Sequence, residues 1–504
     1  MHVNKFGALL ALTVGASVGY AQFTPLHWLN TADPVLSGSP GEFMVGLPGA
    51  RYHNGQVYVS ARSVVSGLPS SFIAQAVNRQ AHVVVNSSAS LPGAGSSTDL
   101  SLEVQAVGSG GSLLFTARPP GPRGLWRQDG STTSLVYTNG MPVDGMPGHT
   151  LSDVIRADLL PDGRHAITSN VINPNGIPAR GVFTGTPGNL QPRLVTGTPV
   201  PGNPTATYSH NFEAWRPDAL GRAYAGTYAG APGAPVGSVW RIDESGDPVP
   251  VVIGNEAVIG VPGQHLDLNG NEHIHGAASA SGTPFLFGRI SDGRVGVFGV
   301  SGGQATPLLL NGDALPAFGP NASYRGNSVS DLYASNSGHV AMASRVRFEM
   351  AGGTFRTEDA FFRLTAAGAL PIVVDGEAEP LVPGGWTHGD LGRVVMNDDG
   401  WAAFSSALFR PNPNNLVEAL FATSPDGTRH LLLDGASPFE VDPGVFKTLS
   451  MINFMSIDDD GTILAGVSWT DQSSSILTFT IPAPGTAGAL AAMGLLCLRR
   501  RRPW

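Results

Sequence analysis

Asn397-Asp398-Asp399-Gly400-Trp401-Ala402-Ala403-Phe404 is the stretch that decides the fold. Asn and Asp close tight turns through their own side-chain oxygens, Gly supplies the left-handed backbone region, and the apolar residues that follow read as a strand. The same polar-Gly turn recurs around Gly55, Gly111, Gly163, Gly221, Gly338 and Gly461. Asn269-Gly270-Asn271-Glu272 reads as a degraded copy between Gly221 and Gly338. Eight copies of one unit are implied.

A second landmark alternates with the first. Pro-Gly pairs stand at Pro40-Gly41, Pro92-Gly93, Pro147-Gly148, Pro201-Gly202, Pro262-Gly263, Pro383-Gly384 and Pro443-Gly444, and the inverted Gly319-Pro320 fills the missing place. Their mean spacing is about 58 residues, a period that marks a repeat architecture. Apolar runs precede several of them, as in Leu431-Leu432-Leu433 before Asp434-Gly435. Aromatic segments recur at Gly124-Leu125-Trp126-Arg127, Ser238-Val239-Trp240-Arg241 and Ala360-Phe361-Phe362-Arg363. Each unit therefore offers four short strands.

Four short antiparallel strands at this period make a propeller blade, whose faces find cover only against neighbouring blades. The expected fold is an all-β, eight-bladed β-propeller over residues 22–480, with seven blades left as the alternative. The first apolar strand, near Phe23 to Leu29, precedes the first Pro-Gly pair, while the last, near Ile476 to Ile481, has no strand after it. The N-terminal strand is therefore expected to complete the last blade and leave no open edge.

Composition agrees with a folded, turn-rich chain. Of 504 residues, 66 are Gly and 40 Pro, 42% are hydrophobic and 13% charged, which supports a core and disfavours disorder. Setting aside Lys5 and the four terminal arginines leaves 24 of the 29 basic residues against 38 acidic ones, a balance of −14 that disfavours nucleic acid as a partner. The lone Cys497 excludes an intrachain disulfide, a Cys-based zinc site and an iron–sulfur cluster. No cofactor is expected.

Both ends read as targeting segments. Residues 1–21 hold Lys5, an apolar run from Phe6 to Val18 and small residues before Gln22, the layout of a secretion signal cleaved between Ala21 and Gln22. Residues 481–504 run through Pro482, Pro484 and Gly485 into an uncharged stretch, then Arg499, Arg500, Arg501 and Arg502. As a helix the stretch from Thr486 to Leu498 rises about 20 Å, short of the roughly 30 Å of membrane hydrocarbon, while the arginines favour the cytoplasmic side. A simple uncleaved anchor and a clipped sorting tail are both open.

The tail resembles the PEP-CTERM bacterial sorting signal, with Ala483 where that family has Glu. The resemblance implies processing by an exosortase-like membrane enzyme, and the Ala483 departure bears on that enzyme more than on topology. The internal signature resembles the bacterial NxxGxxAF tandem-repeat proteins, which end in interchangeable surface anchors. Asn397, Gly400, Ala403 and Phe404 match that motif in full, and Asp458 with Gly461 occupies the same turn positions. What this resemblance implies is an exported surface protein, and no catalytic residue comes with it.

Candidate chemistry is sparse. Gly15-Ala16-Ser17-Val18-Gly19 has nucleophile-elbow spacing but lies in the leader. Asp398, Asp399, Asp458, Asp459 and Asp460 could offer oxygens to calcium, yet lack the alternating ligand spacing of a calcium loop, so turn formation explains them better. His149, His210, His265 and His388 each follow a Pro-Gly landmark and are candidates for convergence at the channel mouth, with His273 and His275 on one face of a strand. Trp126, Trp240 and Phe362 are expected in the interblade core rather than on a sugar-stacking surface. The expected role is a non-enzymatic binding or structural module at the cell surface, with polysaccharide or a surface protein as partner. The alternative is an extracellular hydrolase or lyase acting on polysaccharide.

Overall fold

The computed structural model describes residues 26–481, apart from 32–34, 37–42, 54, 66–67, 78–79, 87–90, 94–100, 119–122, 210–211, 216, 232–233, 244–245, 270–273, 327–330, 366 and 411–414. Its strands form eight radially repeated antiparallel sheets, blades one to eight, spanning 43–86, 101–138, 150–195, 203–253, 266–310, 322–374, 386–434 and 449–480. The seventh shows the plan. Trp386–Met396 lies innermost, followed outward by Ala402–Phe409, Leu416–Thr423 and Arg429–Asp434. The eight-bladed β-propeller expected from the repeats is the fold.

Closure follows the expected route. Leu26–Asn30 pairs antiparallel with Ser474–Thr480 as the outermost strand of blade eight, and Thr31 N–H adds a bond to the Ser474 carbonyl at 2.9 Å. One bulge certifies its place. In every blade the pairing of third and fourth strands slips by one residue, skipping Val84, Val136, Arg193, Val251, Leu308, Ile372 and Leu432, and in the closing strand Trp28. A bulge raises local twist, which a wedge-shaped blade needs most at its rim. Beside four of these slips stand Pro192, Pro250, Pro307 and Pro371, tolerated because a rim strand can lack an N–H on its outer side.

The polar-Gly signature connects the innermost strand to the second. In blade seven Asn397 N–H donates to the Trp401 carbonyl at 3.0 Å, Gly400 N–H donates to the Asn397 carbonyl at 3.0 Å, and Asn397 Oδ1 accepts Trp401 N–H at 2.9 Å. Gly400 sits at φ +83°, where a Cβ is costly. Asp458 and Gly461 repeat the pattern, as expected for turns. The motif then places Ala403 against blade eight and Phe404 against blade six, both fully buried. Phe404 meets Phe361 of the neighbouring blade edge-on, with centroids 6.0 Å apart. Trp126, Trp240 and Phe362 are core residues, as anticipated.

One reading needs correction. The fifth turn is 279–283, not the Asn269-Gly270 stretch: Ser279 N–H donates to the Thr283 carbonyl at 2.9 Å, Gly282 N–H donates to Ser279 at 2.8 Å, and Gly282 has φ +84°. Residues 270–273, His273 among them, lie outside the described residues. In blades four to six the innermost strand is two short pieces rather than one: Asn203–Tyr208 with Glu213–Ala214, Leu266–Asp267 with Gly276–Ala278, and Ala322–Tyr324 with Leu332–Ala334.

Candidate functional site

Among the described residues, polar side chains gather in the ring of turns on one face, in a buried network between blades six and seven, and in grooves between blades. The turns are tied to one another around the circle. Ser281 N–H donates to Asn336 Oδ1 at 2.6 Å, and Asn336 Nδ2 donates to Asp398 Oδ2 at 3.0 Å. Asn397 Nδ2 donates to the Asp458 carbonyl at 3.2 Å, and Tyr52 Oη donates to Asp460 Oδ2 at 2.8 Å, which carries the chain of bonds from blade eight to blade one. Arg127 Nη1 donates to the Gly163 carbonyl, joining blades two and three. The Asp cluster is thus occupied in stitching turns. Burial, then repulsion by Asp459, pushes the Asp398 carboxyl up to about 6.

The arginine that follows each aromatic is an interblade bolt in two of three repeats. Besides Arg127, Arg363 of blade six reaches the Ser424 and Thr423 carbonyls of blade seven. Its counterpart Arg241 in blade four instead pairs with Asp243, through Nε at 2.6 Å and Nη2 at 2.8 Å, and lines a groove of about 410 Å³ against blade five.

The buried network contains His388. Its Nδ1 lies 3.0 Å from Ser406 Oγ and its Nε2 lies 2.8 Å from Glu379 Oε2. Arg429 Nη1 donates to the same Glu379 oxygen at 3.1 Å, while Nη2 donates to Glu377 at 3.1 Å and to the Ile372 carbonyl of blade six at 2.6 Å. Burial alone raises the Glu379 carboxyl, but hydrogen bonds from His388 and Leu381 N–H and the charge of Arg429 outweigh it and hold the group below its ordinary value. The order of groups is that of a hydroxyl–imidazole–carboxylate triad. Its setting is not: the side chains of His388 and Glu379 have no solvent exposure and Ser406 is buried. Ser406 also lies inside a strand, opposite Ala419 in a regular pairing and opposite Leu391 between two register shifts, instead of on a strand-to-helix turn.

The three described histidine candidates lie in different settings. His149 is half-buried just before the innermost strand of blade three, with Nδ1 3.4 Å from the Pro147 carbonyl. His265 is exposed on the connection into blade five, bridged to Ala257. His388 alone of the described three is in an innermost strand, and it points into the interblade core. His210 lies outside the described residues, as do Ala21, Gln22, Pro482, Pro484, Gly485 and Arg499 to Arg502. Distance from Pro-Gly varies because these residues belong to the connections, which do not keep strand register. Among the described residues no group of three or more His, Cys, Asp or Glu side chains is placed to hold a metal ion.

Among the described residues His165 is the other buried imidazole, and the sequence did not single it out. Neither ring nitrogen has a hydrogen-bond partner. Burial, with repulsion from Arg127 opposed by Asp129, pushes it down to about 4. Only its place two residues after Gly163 distinguishes it in the sequence.

Among solved structures, the chain is similar to the polysaccharide lyase Uly1, at 9% identity and TM-score 0.37 over 74% of this chain and 88% of that one. It is similar to a Pyrococcus horikoshii acylaminoacyl peptidase, at 9% identity and TM-score 0.38 over 84% of this chain and 57% of that one. A eukaryotic initiation factor gives 10% identity and TM-score 0.39 over 84% and 82%. No curated protein matches the sequence. A family model covers residues 54–472, most of the propeller, and the chain therefore belongs to a family of unknown function, DUF7453.

Proposed function

We propose that this chain is an exported propeller held at the cell surface, acting as a binding or structural module and not as a catalyst. The observation that carries the reading is the fate of Ser406, His388 and Glu379. They form a chain of hydroxyl, base and acid, yet they are sealed within a blade interface and committed to holding it. General acid–base chemistry needs a group within about 3 Å of a reacting atom, and a covered imidazole offers no such approach. The address rests on the sequence: a leader ending at Ala21 and a tail with Pro482, Pro484 and four arginines, the latter read as the substrate of an exosortase-like enzyme. Polysaccharide or another surface protein is the partner class.

The test has two arms. Intact mass of the protein from its native host is expected to begin at Gln22 and to lack the arginine tail; a mass that includes residues 490–504 overturns the clipped-tail reading. Incubation with neutral, carboxylated and sulfated polysaccharides is expected to release no reducing ends or unsaturated products. Turnover that disappears in His265→Ala or His388→Ala would establish an enzyme instead.

A further inference from the structure

The chain body carries an acidic excess, yet one sheet face concentrates arginine. In blade six, Ser323 pairs opposite Arg347, and Arg325 N–H donates to the Arg345 carbonyl at 3.1 Å. Side chains alternate sides along a strand, so Ser323, Arg325, Arg345 and Arg347 share a face. Like charges on neighbouring strands are unfavourable unless something answers them. Arg345 is answered by Asp359 at 2.9 Å, and Arg294 of blade five, across the gap, by Asp292 at 2.9 Å. Arg325 and Arg347 have no carboxylate partner among the described residues, and Arg347 lies instead over the Phe355 ring, 3.2 Å from its centroid.

Arg325 and Arg347 open onto a groove of about 330 Å³ between blades five and six. Asn311 lines the same groove, and its Oδ1 is shielded from solvent without a hydrogen-bond partner. The two demands differ in kind. Guanidinium groups need an anionic oxygen, which they meet in forked geometry, whereas an amide oxygen needs a donor such as a hydroxyl. A bare anion or an acidic side chain satisfies the first and not the second. A sugar ring that carries a charged substituent satisfies both, and a groove of this size admits one or two rings.

We infer that this groove binds an acidic sugar unit of a polysaccharide, with its carboxylate or sulfate ester on Arg325 and Arg347 and a ring hydroxyl donating to Asn311 Oδ1 once that amide turns into the groove. The inference rests on the binding-module reading and gives it a ligand class and a place. Titration calorimetry on the full chain at low salt tests it with four polymers: polygalacturonate, dextran sulfate, uncharged dextran and polyglutamate. At least one of the two charged glycans is expected to bind ten times or more tighter than dextran and polyglutamate, and the better of the two identifies the anion. Arg325→Gln with Arg347→Gln is expected to weaken that binding at least tenfold without lowering Tm, and Asn311→Leu to weaken it severalfold. Because Arg325 is exposed, Arg325→Glu alone tests the site if the double variant does not fold. Charged glycans that bind no better than dextran, polyglutamate that binds equally well, or undiminished binding by Arg325→Glu would overturn the assignment while leaving the non-catalytic reading intact. Binding accompanied by chain cleavage would support the groove and overturn the non-catalytic reading.

Discussion

His388 Nε2 stands 2.8 Å from Glu379 Oε2, nine residues earlier in the chain, and the pair is closed off from solvent by the seventh blade and the segment that leads into it. The carboxylate balances Arg429 as well, so it fixes the connection from blade six against the body of blade seven. Glu379→Gln is expected to cost about 3–5 kcal/mol in urea unfolding at pH 7, the range seen when one partner of a buried charge pair is removed. Since the folded carboxyl sits below its ordinary value, its contribution is present above the unfolded pKa and is lost as pH falls through the folded one. The gap between parent and variant should therefore close in acid. Ser406→Ala, which removes the hydroxyl's bonds to His388 and to the Ala407 carbonyl and leaves a buried ring nitrogen unpartnered, should cost about 1–3 kcal/mol.

Asp398 behaves in the opposite sense. Its carboxyl is raised to about 6 in the folded ring of turns, so the folded chain holds a proton that the unfolded chain, near 3.8, has released. Stability contributed by this group is present below pH 3.8 and falls as pH rises to about 6. Asp398→Asn keeps an oxygen to accept from Asn336 and removes the repulsion from Asp459. Scanning calorimetry should show a higher Tm for the variant at pH 7.5 and no gain at pH 4; a lower Tm at pH 7.5 would contradict the described ring.

At His165 the unfolded imidazole protonates near 6.5 while the folded one resists to about 4. Stability should climb as pH rises between those values and level off above them. His165→Leu removes the titrating group and two unpartnered ring nitrogens. Equilibrium unfolding should find the variant's gain on the parent growing as pH falls from 6.5 to 4, and a variant-minus-parent difference that stays constant over that range would count against a buried neutral imidazole.

Deleting residues 22–30 takes away the outermost strand of blade eight and exposes the backbone of Ser474–Thr480, an unpaired strand edge that recruits other chains. Size-exclusion chromatography with light scattering should find oligomers or aggregate in place of the parent's distribution. Leu29, fully buried with Ile476 and Leu464, offers a milder version. Leu29→Ala should cost about 2–5 kcal/mol.

Repeat number and closure were legible because glycine at positive φ and Pro-Gly pairs leave marks that survive drift in everything between them. Blade five was misplaced for a physical reason. Ser279-Ala280-Ser281-Gly282 closes its turn with small hydroxyl residues that look like ordinary linker, while Asn269-Gly270 nearby has stronger turn chemistry. The network around His388 was not legible at all: Glu379, Ser406 and Arg429 lie 9, 18 and 41 residues away, and only strand pairing across the blade brings them together. Nor could spacing tell that His149 and His265 would fall on connections. The arginine face of blade six was hidden for the same reason, since Arg325 and Arg347 meet through the register that sets Ser323 opposite Arg347.

Because Leu26 lies opposite Thr478, the strand Ser474–Thr480 is gripped from both sides, by Leu26–Asn30 and by Thr462–Trp469. Its hydrogen bonds run across the strand axis. A tug applied at Ile481 along that axis would therefore strain two ladders at once in shear, rather than peeling one bond at a time. A ring joined in this way resists being unravelled by a pull on its last strand.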